Sequence, residues 1–293
     1  MYWRRMKDNL AGKSMFLAVA FANSIVLLIA FGLFMKSRPI LAKVSILHLL
    51  FSSSWSPLNG EFGFFPFIIG TLEVTAIAMV LAIPICLLSA VYLSEYAHRR
   101  FRELVRLVVD IMAGIPSVIY GLWGIVVIVP FVRVLGQAFG HATTGYSLLA
   151  GGIILAIMIS PIIISVSTEV LMAVPAEARE TALALGTTKW EAVKHVILRS
   201  SRHGILSAVV LGFTRAFGET IAVLMIVGNV PKVPASIFDP AYPLPALLAN
   251  NYGEMMSIPL YDSALLLSAL ILLLVVSGFN LTAHLALLRT ERG

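Results

Sequence analysis

The 293-residue sequence has few charged side chains. Charged residues make up 12% of the chain, about half of the share that is usual for soluble domains. Hydrophobic residues make up 59%, and the mean hydropathy is +0.94. So little polar surface could not cover a water-soluble globule, and the composition therefore predicts a membrane protein. The net charge of +6 then indicates basic cytoplasmic loops and not a nucleic-acid partner.

Three further absences exclude classes of chemistry. The single cysteine, Cys86, lies in an apolar run and excludes an intramolecular disulfide or a thiolate metal cluster. No G-x-x-x-x-G-K-[ST] motif is present, so the chain has no ATP-binding phosphate loop of its own. The six histidines are scattered without the spacing of metal ligands. We therefore expect no catalytic residue, no metal site and no cofactor in this chain.

Six apolar stretches are long enough to cross a bilayer, which takes about 20 residues. Basic residues precede the first stretch, as in a signal peptide. Its apolar length and the lack of a small-residue cleavage site favour a retained helix. The predicted spans are 14–35, 67–93, 107–134, 148–173, 204–230 and 263–288.

The distribution of basic residues orients these spans. Fifteen of the 21 Lys and Arg residues fall on the side of the termini and five on the other side. Both termini are therefore predicted to be cytoplasmic. The expected fold is an all-α membrane bundle of six transmembrane helices. Its expected parts are a cytoplasmic N-terminus (1–13), a first helix with an outer loop (14–66), a five-helix core that includes the cytoplasmic loop 174–202 (67–288), and a cytoplasmic tail (289–293).

Three spans contain a proline, Pro84, Pro116 or Pro161, and each proline is expected to kink its helix. Ser117 and Ser160 lie beside two of them. Freed carbonyls and hydroxyls at membrane depth are tolerated where they are buried in protein or line a watery cavity. These residues therefore predict either the lining of a pathway or ordinary helix packing.

The two long outer segments, 36–66 and 231–262, are rich in aromatic residues or proline. Such composition predicts stiff extended turns and not regular helices. The segments could dock a partner outside the membrane or could simply cover the ends of the helices.

The cytoplasmic loop 174–202 has the signals of two short helices. Pro175 suits the first position of a helix, and Gly186 suits its end because glycine accepts a positive φ. Thr188 and Glu191 have the spacing of a capping box, which begins a second helix.

Within this loop, Glu180-Thr181-Ala182, followed after three residues by Gly186, resembles the EAA loop of the permease subunits of bacterial ABC importers. The sequence departs from the family pattern at Thr181, Val196 and Arg199. The resemblance implies that the loop contacts a separate ATPase subunit and transmits its motion. The residues implied in this coupling are Glu180, Ala182, Gly186 and Trp190. The alternative is an interfacial amphipathic segment without a partner.

Two charged residues, Arg215 and Glu219, fall inside the fifth span. Arg215 lies about 16 Å along the helix axis from Gly204, close to the midplane of a core about 30 Å thick. Charges at that depth are costly and indicate function. The spacing of four places both side chains on one helical face, which Thr220 shares only in part.

The chemistry of this pair suits an anion. A guanidinium stays charged and offers parallel donors to a tetrahedral oxyanion. Glu219 could neutralise Arg215 when no anion is present, or it could accept a hydrogen bond from a protonated oxygen. The second role would favour phosphate and penalise sulfate, which has no such proton. A structural salt bridge between helices is the alternative.

The run from Arg215 to Val223 resembles the R-A-x-G-E-T-x-A-V signature of the phosphate-specific (Pst) branch of these permeases. Residues 114–121 and 184–190 are similar to the same branch, and 55–57, 62–63 and 70–72 look more like PstC than PstA permeases. The resemblance implies the type I importer architecture in the bacterial inner membrane and inward transport of phosphate by alternating access. The implied partners are a PstA-like second permease, a PstB-like ATPase dimer that binds ATP and Mg²⁺, and a PstS-like extracytoplasmic phosphate-binding protein.

Other functions stay open at this point. The chain could be a permease for phosphonate, sulfate or molybdate. A stand-alone secondary transporter would be expected to show an internal repeat, and none is apparent. A membrane enzyme would need a cluster of acid, base or metal-binding groups. The partner permease could also be a second copy of this chain, and Glu73 in the second span has no assigned role.

Overall fold

A computed structural model of the chain describes residues 2–254 and 258–291. The described residues are mostly helical. Four helices are each long and apolar enough to cross a membrane: Leu10–Leu41, Phe65–Tyr96, Leu148–Met172 and Tyr261–Ala283. There are also two pairs of helices that meet at a bend. If each of these pairs is counted as one span, the total is six. The last two residues of the predicted tail, 292 and 293, lie outside the described part.

The first half of the chain runs from a long helix to a broken one. Helix α1 covers Tyr2–Leu41, and the short helix α2 covers Ile46–Phe51. Strands β1 and β2, Trp55–Ser56 and Glu61–Phe62, pair in antiparallel fashion around a 3₁₀ turn at Pro57–Asn59. Helix α3, Phe65–Val91, continues into a π-helical turn at Tyr92–Tyr96, which we call the π segment. The helices α4, α5 and α6 then follow as Arg99–Gly114, Ser117–Val126 and Ile128–Ala138.

The second half begins with a continuous helix and returns through a second broken one. Helix α7 covers Leu148–Met172. The loop after it contains α8 (Ala176–Ala184), α9 (Lys189–Ala192), a π-helical turn at Val193–Ile197 and α10 (Leu198–Ser200). The remaining helices are α11, α12, α13 and α14, which cover Arg202–Gly218, Ile221–Ile226, Leu244–Asn251 and Tyr261–Glu291.

Helices α3, α7 and α11 form the centre of the bundle because glycines let their backbones approach closely. A Cβ atom at Gly152 on α7 would lie only 2.8 Å from the Cβ atom of Ile77 on α3. A Cβ atom at Gly212 on α11 would lie 2.6 Å from Cδ1 of Ile163 on α7. Helix α1 packs mainly against α14, and none of its most apolar stretch is buried within the chain.

The kink expected at Pro116 in the predicted third span, 107–134, is confirmed, but the second break in that span is not predicted. Helices α4 and α5 meet at 95°, and a second break at Val127 separates α5 from α6. Pro116 explains the first break because it lacks an N–H and forces the residue before it, Ile115, into extended conformation. Pro84 and Pro161, by contrast, lie inside helices that the structure shows as continuous.

The prediction that the outer segments contain no regular helix is wrong in part. Helix α1 extends to Leu41, and α2 and α13 are short helices within these segments. Helix α13 begins directly after Pro243 and has Pro245 in its first turn, where a proline's fixed φ suits a helix and its missing N–H costs nothing. Trp55 packs edge-on to Phe67 at 4.9 Å between ring centroids, which anchors the outer hairpin to α3.

Candidate functional site

The candidate site lies where two broken helices approach each other. The first break lies between α4 and α5, and the second lies between α11 and α12. Beyond these breaks, α5 and α12 pack closely together. A Cβ atom at Gly121 would lie 3.3 Å from Cα of Ala222 and 2.5 Å from Sδ of Met225. The two half-helices therefore form one packed pair.

The break in the fifth span falls within the run that was expected to be helical. Helix α11 ends at Gly218, and Glu219 is extended, with φ −71° and ψ 126°. The N–H of Glu219 donates to the carbonyl of Ala216 at 3.3 Å, and the Thr220 hydroxyl donates to the carbonyl of Gly218 at 3.3 Å. The prediction that Arg215 and Glu219 share one helical face is therefore wrong, because the helix does not continue through position 219.

Arg215 lies in the last turn of α11 with its side chain exposed in the isolated chain, whereas Glu219 and Thr220 are half-buried. The structure shows no ion pair between Arg215 and Glu219, although both are among the described residues. Tyr120 on α5 lies in one apolar cluster with Ala222 and Met225 of α12. The Arg215 guanidinium is not neutralised by Glu219 within this chain.

The two serines expected in a pathway lie in different places. Ser117 is the first residue of α5, at the first break, and is half-buried. Ser160 lies on α7, where its hydroxyl donates to the carbonyl of Ile157 at 2.8 Å. The backbone oxygen of Ser160 accepts a hydrogen bond from Cys86 on α3 at 3.9 Å. Ser117 therefore belongs to the region of the two breaks, whereas Ser160 lies at the contact between α3 and α7.

Glu73 borders a cavity of about 260 Å³ between α3, the start of α7 and the outer segment at Pro234–Ile237. Its Oε2 atom is buried and has no hydrogen-bond partner among the residues that the structure describes. Glu73 lies near the beginning of α3, whereas Arg215 lies near the end of α11.

The loop 174–202 has the two helices that the sequence predicts. Helix α8 ends in a Schellman turn, in which Gly186 has φ +84° and the N–H of Thr187 donates to the carbonyl of Ala182. The capping box is present, because the Thr188 N–H donates to the Glu191 carboxylate at 2.7 Å and the Glu191 N–H donates to the Thr188 hydroxyl at 3.3 Å. The hydrogen bonds that the N–H and the hydroxyl of Thr188 donate to this carboxylate lower the pKa of Glu191. Pro175 precedes α8 as its N-cap, one position earlier than predicted.

The tip of this loop exposes apolar side chains. Leu185 is 80% exposed, and Leu183 and Trp190 are about half exposed. Glu180 also faces outward, whereas Ala182 is buried within the loop. The predicted coupling residues Glu180, Gly186 and Trp190 therefore lie on the surface, whereas Ala182 packs within the loop.

The sequence reasoning missed Tyr120, Leu185 and Arg179. Arg179 was counted only as a basic residue of an inner loop. In the structure its guanidinium binds the Glu95 carboxylate, 84 residues away in sequence. Its position next to Glu180 in the loop motif was the available signal.

A comparison with protein-family models matches residues 82–287 to the family described as "Binding-protein-dependent transport system inner membrane component". The matched segment includes both helix breaks and the loop 174–202. The chain belongs to this family. It is therefore an inner-membrane transport component and not an enzyme, which agrees with the long apolar helices of the structure.

Curated relatives of this inner-membrane component carry phosphate-transport names. "Phosphate transport system permease protein PstC" of Xylella fastidiosa (strain 9a5c) is 36% identical over 83% of this chain and 79% of its own length. "Probable phosphate transport system permease protein PstC" of Methanocaldococcus jannaschii is 30% identical over 86% of each chain. The predicted resemblance to PstC permeases is thus confirmed.

Solved structures confirm the fold of ABC importer permeases. A chain of a bacterial ABC transporter for the import of alginate matches with a TM-score of 0.64, covering 98% of each chain at 14% identity. A chain of the MetNI methionine ABC transporter matches with a TM-score of 0.57, covering 74% of this chain and 91% of the other at 21% identity. The inner-membrane component thus has the fold expected from its loop motif.

Proposed function

We propose that this chain is the transmembrane permease subunit of an ATP-driven importer that moves inorganic phosphate into the cell. The observation that carries the proposal is Arg215, a permanently charged side chain at the break of a membrane helix. The phosphate-transport names of relatives that are 30% and 36% identical support the choice of substrate.

The depth of Arg215 supports a role in the pathway. Helix α11 begins at Arg202, so Arg215 lies about 20 Å along its axis at 1.5 Å per residue. The hydrocarbon core of a bilayer is about 30 Å thick, so the guanidinium lies well inside it. A charge at this depth requires a partner, a watery cavity or a bound anion. Because Arg215 is exposed on this chain, it would face the interface with the second permease, where the pathway runs.

The end of α5 adds to the attraction for an anion. Ser117 begins α5 at the first break, and the N-terminus of a helix has partial positive charge and unpaired N–H groups. Broken membrane helices whose half-helix N-termini point at anionic substrates are a recurrent design in transporters. Arg215 and the start of α5 would together attract a phosphate oxygen, with Thr220 as a neutral hydrogen-bonding group beside them.

Glu219 would then select the protonation state of the substrate. It forms no ion pair with Arg215 in the structure, so neutralising that residue is not its role in this conformation. A carboxylate can accept a hydrogen bond only from a protonated oxygen, which phosphate has near neutral pH and sulfate lacks. Glu219 would therefore favour phosphate by repelling a fully ionised anion.

The loop 174–202 would connect this pathway to an ATPase dimer. Its exposed tip, with Leu183, Leu185 and Trp190, is an apolar surface that a partner would cover. ATP binding would close the dimer, draw the two permease loops together and favour the outward-facing state, and hydrolysis would reset it. The further partners in this proposal are a PstA-like second permease and a PstS-like phosphate-binding protein outside.

Transport by the assembled complex in membrane vesicles tests the proposal. We expect uptake of labelled phosphate that depends on ATP and that excess sulfate or molybdate does not inhibit. The variant Glu219→Gln should admit labelled sulfate at a rate that approaches that of phosphate. Glu254→Gln, at an exposed position of the outer segment, is the matched control and should leave the selectivity unchanged. If Glu219→Gln kept the full preference for phosphate, the selective role of this carboxylate would be wrong.

A further inference from the structure

A part-buried ion pair joins the loop 174–202 to the membrane helices. The Nε and Nη2 atoms of Arg179 on α8 lie 3.3 Å and 3.0 Å from Oε1 of Glu95 in the π segment. Nη2 also donates to the carbonyl of Leu171 at 2.7 Å, and Nη1 donates to the carbonyl of Val174. The side chain of Glu95 is only 8% exposed and that of Arg179 is 24% exposed. One guanidinium thus holds together the loop, the end of α7 and the end of the second span.

The same three elements share a small apolar core. Leu171 and Val174, whose carbonyls bind Arg179, also contribute buried side chains to this core. The end of α3 and the second arm of the loop supply the rest. The remaining buried members are Ala90, Val91, Val193 and Ile197. Both arms of the loop are therefore packed against the membrane helices as well as tied by the ion pair.

The π segment receives a second contact from the loop and a third from α4. Lys189, at the start of α9, places its Nζ atom 4.6 Å from the ring centroid of Tyr96, within the range of a cation–π interaction. On the other side, Arg102 of α4 donates to the carbonyl of Leu93 at 2.7 Å and to that of Ser94 at 3.2 Å. The π segment therefore lies between the loop and the helix that leads to the first break.

The pair differs from the other ion pairs that the structure shows among the described residues. Arg99–Glu103 and Arg106–Glu169 are more than 60% exposed on both sides, so solvent screens them and their contribution is small. Glu95 and Arg179 are largely shielded, and removing one partner would leave a buried charge without its partner. A displacement of α8 away from Glu95 would therefore leave a largely shielded carboxylate without its partner.

We propose that the Arg179–Glu95 ion pair passes the movement of the loop to the π segment, and through it to α3 and α4. Arg179 is then a positioning residue for transport that acts through Glu95 and does not touch the substrate. This inference rests on the proposed coupling role of the loop 174–202. In this proposal the loop, the π segment and the start of α4 move as one unit. Closure of the ATPase dimer would therefore displace the first helix break.

The test compares transport with ATP hydrolysis in the complete complex, reconstituted in liposomes with its ATPase and phosphate-binding protein. The variants are Arg179→Gln, Glu95→Gln and the double variant. In each single variant we expect phosphate transported per ATP hydrolysed to fall about fivefold or more, while ATP hydrolysis per assembled complex stays within about twofold of the unaltered protein. Because the two residues act as one contact, the double variant should be no worse than either single variant.

The exposed pair on α4 provides the matched control. Arg99→Gln and Glu103→Gln remove the same charges from the same region and should leave the ratio unchanged. Arg179→Lys is a second variant in case glutamine reduces assembly. It keeps the charge, but one ammonium group cannot reproduce the contacts of the guanidinium with Glu95 and both carbonyls, so the ratio should fall here too.

An unchanged ratio per assembled complex, whatever the yield, would overturn the inference and leave the pair a structural contact. Effects that add in the double variant would also overturn it. Leu185→Asp at the exposed loop tip separates this failure from failure of the proposed function. If Leu185→Asp stops transport while Arg179→Gln keeps the ratio, the loop couples to the ATPase but not through Arg179. If Leu185→Asp also has no effect, the coupling role of the loop itself is wrong.

Discussion

The hydroxyl of Tyr120 donates a hydrogen bond of 2.8 Å to the carbonyl of Met112 across the 95° bend between α4 and α5. Met112 is near the end of α4, where the helix cannot continue because Pro116 follows. Its carbonyl also accepts the N–H of Ile115 at 3.3 Å. Since unpaired carbonyls are costly at membrane depth, these two donors stabilise the bend. The same tyrosine lies in one apolar cluster with Ala222 and Met225 of α12, so the first break and the charged second break are adjacent.

Loss of the Tyr120 hydroxyl should weaken the bend without changing its packing. Tyr120→Phe keeps the buried ring but removes one donor, so we expect the complex to lose about 1 kcal/mol of stability. The thermal unfolding midpoint in detergent measures this loss. Tyr252→Phe is the control, because that ring is 64% exposed and should have no measurable effect. Equal midpoints for the two variants would show that the hydrogen bond contributes nothing.

The contact between α3 and α7 should not tolerate even one added methyl group at Gly152. A Cβ atom there would lie 2.8 Å from the Cβ atom of Ile77, which cannot move away without shifting the backbone. We expect Gly152→Ala to destabilise the protein by about 1–3 kcal/mol, the usual range for overpacking. Gly278→Ala is the matched control, since an added Cβ atom at Gly278 on α14 meets nothing within 4 Å. Unfolding midpoints that did not differ between these variants would contradict the observed packing.

At Gly186 a side chain is disfavoured by the backbone conformation and not by a lack of space. Its φ is +84°, and an added Cβ atom would meet nothing within 4 Å. An L-residue is strained there by about 1–2 kcal/mol, but asparagine tolerates a positive φ better than alanine. Phosphate uptake should therefore fall in the order glycine, Gly186→Asn, Gly186→Ala, with normal amounts of permease in the membrane. Equal uptake by the two variants would mean that the left-handed turn is not required for coupling.

Local signals made the loop 174–202 predictable. Thr188, Glu191 and Gly186 act on residues two to four positions away, so their spacing alone indicates the helix ends. The continuous second and fourth spans were predictable for a similar reason, since long apolar runs have few alternatives in a bilayer.

The remaining features depend on contacts between distant parts of the chain. No proline predicts the break at Glu219. The break forms where α12 packs on α5. Pro84, Pro161 and Pro116 look alike in sequence, but only Pro116 lies at a sharp bend. The pairing of Arg179 with Glu95 joins residues 84 positions apart, which the spacing in a single sequence does not reveal.

The most direct test of the whole account is phosphate accumulation by cells or vesicles in which Arg215 is replaced by glutamine. The complex should assemble normally, because Arg215 is exposed on this chain and forms none of the ion pairs that the structure shows among the described residues. Loss of a charged hydrogen-bonding group for the anion should reduce phosphate uptake by about 10- to 100-fold. Arg215→Lys, which keeps the charge, should retain more transport than Arg215→Gln. Undiminished accumulation in the Arg215→Gln variant would contradict the account.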